Sequence, residues 1–161
     1  MLLYGKPVVT QLKSEIKQWV VDNKLEGKYI AFFLLSEEEA SRVYVDLKCA
    51  YASELGLHGQ VFGRADRKAE EALEMIAKCN RDAHCIGIVV QLPLAPHLEE
   101  HRAKILSAVS PAKDVDGLGG VLFGLSSIGK INFVPATPKA VLELLRFYHI
   151  DDVAGKTVCV L

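Results

Sequence analysis

Three residues in the stretch Ser41-Arg-Val-Tyr-Val-Asp-Leu-Lys48 could do chemistry together: Ser41, Tyr44 and Lys48. Their spacings of three and four place a hydroxyl, a phenol ring and an amine on one wedge of a helix, roughly 60° wide at about 100° per residue. An amine held beside a core can serve as a general base. Two further segments offer partners. Gln91 ends an apolar run, His84-Cys-Ile-Gly-Ile-Val-Val-Gln-Leu92, and a neutral amide there could hold the amine without fixing it as a cation. Asp114-Val-Asp116-Gly117 is a natural turn sequence, and one of its carboxylates could accept two adjacent N–H donors, as on an aminopyrimidine edge. The competing readings are ordinary ones: a solvated helix face with Lys48 snorkelling to water, a strand turned aside by Pro93, and a plain Asp-Gly turn.

The elements that must position these groups follow from periodicity. Ala40, Val43, Leu47, Ala50 and Tyr51 recur at helical spacing and predict the buried face of a helix that Gly56 ends. Ser36-Glu-Glu-Glu39 predicts its cap and acidic first turn. Residues 6–23 predict an amphipathic helix with Val9, Leu12, Ile16 and Trp19/Val20 inward. Tyr29–Leu35 and His84–Leu92 are continuous apolar runs, as in strands buried on both faces of a parallel sheet, with a shorter strand at Leu57–Phe62. Asp66 predicts the cap of a helix to Asn80 with Ala69, Leu73 and Ile76 inward, and Leu98–Val109 predicts another. Thr137 and Pro138 predict the cap and first position of a helix running to His149. Lys156–Leu161 predicts the start of a new buried strand, from which the chain reads as cut short. Val121–Phe133 is glycine-rich and carries no clear pattern.

Strands and helices alternate. The expected class is therefore α/β: three layers, a mostly parallel sheet with right-handed crossovers and helices on both faces, and sites at the carboxyl ends of the strands.

Composition narrows the function classes. Lys and Arg number 19 against 20 Asp and Glu, which argues against nucleic acid as the main partner. No apolar run approaches bilayer length and no signal peptide is legible, so a cytoplasmic protein without membrane contact is expected. The four cysteines form no Cys-x-x-Cys pair. Cys49 and Cys159 read as reduced core residues, and a Cys79–Cys85 contact stays open. No metal is expected. His97-Leu-Glu-Glu-His101 lacks the glutamate directly after the first histidine that zinc proteases need. Gly124-Leu-Ser-Ser-Ile-Gly129-Lys130 nearly spells a phosphate loop, but Ile131 stands where a magnesium-binding hydroxyl belongs.

Taken in order, Ser41-x-x-Tyr44-Val-x-x-Lys48, Val90-Gln-Leu-Pro-Leu94, Pro111-x-Lys-Asp-Val-Asp-Gly117 and Pro135-x-Thr-Pro138 resemble the bifunctional methylenetetrahydrofolate dehydrogenase/methenyltetrahydrofolate cyclohydrolase family. The resemblance implies a folate-binding catalytic domain over residues 1–135. Residues 136–161 would be the linker helix and first strand of an incomplete nucleotide-binding domain. It implies Lys48 as the catalytic lysine, Gln91 as its positioning partner, Tyr44 as the ring stacking on the aminobenzoyl group, and Asp116 as the pterin-binding carboxylate. Ser41 falls near the same pocket. NADP is the implied cofactor, with NAD possible, and its glycine-rich loop lies outside this chain. Tetrahydrofolate derivatives are the implied ligands and a homodimer the implied assembly of the full-length protein. The chain departs from the family at Ser36 (usually glycine), Glu38-Glu39 (usually Asp-Pro), Leu122 (commonly asparagine) and Ala136 (often cysteine). Two alternatives come from other classes: a non-catalytic folate-binding or assembly module, and the substrate domain of an unrelated dehydrogenase.

The implied chemistry suits the residues. Hydride transfer from the bridging carbon needs orientation rather than proton abstraction. Hydrolysis of the methenyl cation needs proton transfer, for which Lys48 is the candidate: burial and an adjacent substrate cation both disfavour an ammonium.

Overall fold

Tyr29–Leu34 (β1) is the centre of the molecule, because its side chains are apolar on both sides of the pleat. Ala31, Phe33 and the following Leu35 point to one face, and Phe32 and Leu34 to the other. The computed structural model describes residues 2–130 and 133–159. Its sheet has three parallel strands in the order β2-β1-β3, with β2 at His58–Phe62 and β3 at Cys85–Gln91. Phe33 pairs with Val90 and Leu34 with Gln91, so the site-bearing end of β3 lies level with the end of β1. As an edge strand, β2 leaves Val61 exposed.

Helices cover both faces, as expected. On the Phe33 face lie α3 (Ala69–Arg81) and α4 (Arg102–Ser107), with Ala72, Ile76, Leu98 and Ile105 packed against Ile88 and Val90. Burying a side chain such as Phe33 contributes about 2–3 kcal/mol. On the opposite face lies α2 (Glu39–Glu54), whose Val45 packs on Phe32, Leu34 and Val89. Its approach to β2 is close. A Cβ on Gly59 would lie 2.6 Å from the Cys49 sulfur and Cα, so the helix rests on bare backbone there. The last turns of α1 (Gly5–Asp22) join this side through Val20, which meets Ala52 and Leu57.

Several expectations need correction. The inward face of α2 is Ser41, Val45 and Ala52, with Lys48 and Cys49 half-buried, whereas Val43, Leu47 and Tyr51 are exposed, as are Ala40 and Ala50. Both stripes are apolar enough to be buried; Val45 wins because it faces the ridge of Phe32 and Val89. On α1, Val9, Ile16 and Trp19 are likewise exposed, because only the carboxyl end of that helix meets the sheet.

Helix starts also shift. Glu38 is the N-cap of α2 and makes no side-chain cap bond, though Glu39 supplies the acidic first turn. Lys68, not Asp66, precedes α3, and Asp66 instead pairs with Arg64. Pro96–His101 is a 3₁₀ turn leading into α4. The unassigned segment contains a helix, α5 (Gly120–Ser127). The last helix, α6 (Ala136–Phe147), is capped by Pro135, which puts Thr137 and Pro138 inside its first turn. It lies against α1, where the Tyr148 hydroxyl accepts from Tyr4 N–H and donates to Tyr4 C=O.

Residues 156–159 are exposed and not in a strand, so Cys159 is no core residue; the rest of that expected strand, residues 160–161, lies outside the described residues. Cys79 and Cys85 are buried free thiols, and Cys85 Sγ donates to the Gly87 carbonyl at 3.3 Å. Among the described residues, no helix is long and apolar enough to cross a membrane.

Candidate active site

Lys48 leaves α2 in its third turn and reaches the carboxyl end of β3, where its Nζ donates to Gln91 Oε1 at 3.0 Å. The Gln91 amide cannot turn freely. Its Nε2 donates to the Leu92 carbonyl at 2.9 Å, which leaves Oε1 to face the amine. The Leu92–Pro93 peptide bond is cis.

Ser41 lies one α2 turn before Tyr44 and is only 2% exposed. Its hydroxyl donates to Glu38 Oε2 at 2.6 Å and stands 3.3 Å from the Leu92 carbonyl. One proton cannot serve both acceptors, and the short charge-assisted bond takes it. Ser41 therefore lies buried beside the Leu92 carbonyl that holds the Gln91 amide, with its own proton on Glu38.

Tyr44 is 61% exposed, so its ring is available as a stacking surface beside Lys48. Asp116 completes the set from the loop after α4. Burial pushes its carboxyl up, the Lys48 cation opposes that shift, and Asp114 adds to it. The Lys48 amine thus bonds Gln91 and its charge reaches the Asp116 carboxyl, while Ser41 is buried and Tyr44 exposed on the same helix.

The two carboxylates of Asp-Val-Asp-Gly divide the work that the sequence left undivided. Asp114 is buried and makes the turn: Oδ1 accepts from Gly117 N–H at 2.9 Å and Oδ2 from Gly119 N–H at 2.8 Å. Sequence reasoning also missed Glu38 and the Leu92 carbonyl. A carboxylate three residues before a serine is a legible signal for the first; nothing marks the second.

The other candidate motifs fall away from this site. His97 Nε2 contacts the Arg67 carbonyl at 3.0 Å and His101 faces Glu100. Among the described residues, no group of three His, Cys, Asp or Glu could hold a metal. Gly124 lies inside α5 and Gly129 follows its end, so that segment closes a helix where a phosphate loop would open one. No described segment forms a glycine-rich strand–turn–helix for a dinucleotide, and these residues do not fit that cofactor by themselves.

A parallel α/β sheet with an amine–amide pair at its carboxyl edge and a half-buried carboxyl near it defines a small-molecule enzyme domain. A profile of the tetrahydrofolate dehydrogenase/cyclohydrolase catalytic domain matches residues 3–116, and the chain belongs to that family. It is 37% identical over 158 residues to the bifunctional protein FolD of Acetivibrio thermocellus, covering 96% of this chain and 54% of the relative. Against the FolD of Rhodospirillum rubrum it is 40% identical over 168 residues, 99% and 56% of the two chains. The crystal structure of the bifunctional FolD methylenetetrahydrofolate dehydrogenase/cyclohydrolase from Campylobacter jejuni superposes with a TM-score of 0.84 at 32% identity, over 94% of this chain and 54% of that one. The Trypanosoma brucei enzyme, solved with NADP and an inhibitor, gives 0.76 at 30% identity, over 90% and 49%. The chain spans about half the length of the relatives it matches. Family membership removes the reading as a substrate domain of an unrelated dehydrogenase.

Proposed function

We propose that this chain is the folate-binding catalytic part of a methylenetetrahydrofolate dehydrogenase/methenyltetrahydrofolate cyclohydrolase, with Lys48 and Gln91 catalytic and Tyr44, Asp116 and Ser41 on the substrate side. The observation that carries this reading is the 3.0 Å contact between Lys48 Nζ and Gln91 Oε1. A module that only bound folate would need a stacking ring and a pterin carboxylate, not an amine held by an oriented amide.

In the hydrolytic step, water attacks the cationic methenyl carbon while Lys48 takes a proton from it. The adduct hydroxyl then releases its proton to solvent as the carbon–nitrogen bond opens to the formyl product, the departing nitrogen takes the proton back from Lys48, and Gln91 keeps the amine aimed at the reacting carbon. Tyr44 stacks on the aminobenzoyl ring, and the two oxygens of Asp116 pair with adjacent pterin N–H donors. In the oxidative step these residues hold the bridging carbon in place. The nucleotide that accepts hydride, NADP or NAD, belongs to a second domain, for which residues 136–161 supply the linker helix and the start in this reading. Residues 1–135 then make the folate domain. Homodimeric assembly of the complete protein and a cytoplasmic setting belong to the same reading.

The test is an absorbance assay of methenyltetrahydrofolate loss with the parent chain and Lys48→Met, together with calorimetric folate binding. The parent hydrolyses and the variant binds without hydrolysing. Hydrolysis by the variant near the parent rate overturns the assignment of Lys48, and a parent that binds folate without turnover favours the non-catalytic module.

A further inference from the structure

Asp116 is held by its neighbours rather than by its own contacts. Two backbone bonds flank the loop and tie it to the middle of β3: Ile88 N–H donates to Lys113 C=O at 2.7 Å, and Val115 N–H donates to Ile88 C=O at 3.3 Å. Between them Asp114 turns inward and takes the N–H groups of Gly117 and Gly119. The fit on this side is close. A Cβ on Gly119 would lie 2.9 Å from Asp114 Oδ2 and 3.3 Å from the Leu106 carbonyl.

The other side of the turn is closed by an aromatic ring. Gly117 sits at φ +66°, and a Cβ there would run into the Phe133 ring. Phe133 is in turn anchored by its carbonyl, which accepts from Ser126 Oγ of α5 at 2.7 Å. Asp116 therefore sits one residue before a glycine gripped from both sides, and three residues after Phe133 α6 begins.

We infer that Asp114 and Phe133 are positioning residues for Asp116: the first sets the turn that presents the carboxyl, and the second clamps that turn and couples it to the α6 linker. The inference rests on the folate reading for its functional consequence, though not for its structural one. Two charged groups bear on the Asp116 carboxyl, Lys48 from α2 and Asp114 from its own loop, and Asp116 shares the lining of a small cavity with the apolar Ile88, Val90, Leu106 and Leu118. A displaced turn costs folate affinity without touching the Lys48–Gln91 pair, so KM rises while kcat holds.

The experiment compares the full chain with Asp114→Asn, Phe133→Ala and Phe133→Leu. It reads three quantities: the Asp116 carboxyl titration by carbon NMR, hydrogen exchange at the Gly117 and Gly119 amides, and the KM and kcat for 5,10-methenyltetrahydrofolate. Asp114→Asn moves the Asp116 midpoint down, speeds exchange at Gly119, and raises KM about tenfold with kcat within about threefold. Phe133→Ala raises KM similarly, and Phe133→Leu, which keeps apolar cover over Gly117, recovers most of it. An unchanged Asp116 titration and unchanged glycine protection in Asp114→Asn and Phe133→Ala overturn the inference even if the chain binds no folate. Equal falls in kcat and in melting temperature across all three variants also overturn it, because they indicate a merely structural role. A parent chain that binds no folate defeats the functional reading while the two NMR measurements still decide this one.

Discussion

The amine of Lys48 donates to the side-chain oxygen of Gln91 across 43 residues of sequence, from the third turn of a helix to the last residue of a buried strand. The contact is directional because the Leu92 carbonyl occupies the Gln91 amide nitrogen. A neutral acceptor orients the amine without supplying the full charge of a carboxylate.

That distinction is open to substitution. Gln91→Glu converts the contact into an ion pair that holds Lys48 as an ammonium, and hydrolysis of methenyltetrahydrofolate falls by about tenfold or more while folate binding changes little. Steady-state rates beside calorimetry check this. A variant as fast as the parent shows that the neutrality of the amide is immaterial.

Removing the amine acts more strongly. In Lys48→Met, hydrolysis drops by about 10²–10⁴-fold, the range for a positioned general base, with folate affinity kept within a few-fold. The absorbance assay at saturating substrate measures it.

The Asp116 carboxyl gives a pH signature. Burial raises it, with Lys48 opposing and Asp114 reinforcing. An acid raised in the folded state binds more protons folded than unfolded between its ordinary and its raised value. Stability therefore falls as pH rises through that window and stays lower above it. Asp116→Asn removes this fall, so the variant gains melting temperature relative to the parent above the window and loses that advantage below it. Folate affinity moves oppositely in the parent: it weakens as pH drops through the raised value, earlier than an ordinary carboxylate would dictate. Thermal melts and binding titrations across the acid range check both signs.

The seat of α2 can be tested from the strand beneath it. Gly59→Ala places a methyl 2.6 Å from the Cys49 sulfur and Cα, which forces α2 away from β2. The expected cost is about 1–3 kcal/mol in denaturant unfolding, as for other overpacked contacts. A variant as stable as the parent shows that α2 is free to shift.

In the proposed reading the nucleotide site lies on a second domain. The described residues form no dinucleotide cradle, so the 161-residue chain alone gives no NADP-dependent oxidation of methylenetetrahydrofolate. Turnover followed at the reduced-nicotinamide absorbance checks this, and a measurable rate refutes it.

Local pattern alone made much of this fold legible. The apolar runs at Tyr29 and His84 are buried parallel strands, and Ala69, Ile76 and the spacing around them give α3 its inward face, because a side chain that repeats at one period meets the same neighbour layer at every turn. The residue types of the site and their order along the chain were also readable. Tertiary packing decided three other matters. It decided which stripe of α2 is buried: Val43 and Leu47 repeat as well as Val45, and periodicity places a helix without fixing its rotation on a sheet. It decided which aspartate builds the turn and which is presented, since Asp114 and Asp116 are identical until Gly117 and Gly119 turn their N–H groups toward one of them. And it decided that the Leu92 carbonyl meets the Gln91 amide and the Phe133 ring meets Gly117, because a backbone acceptor and a packing contact act through position, which no residue type encodes.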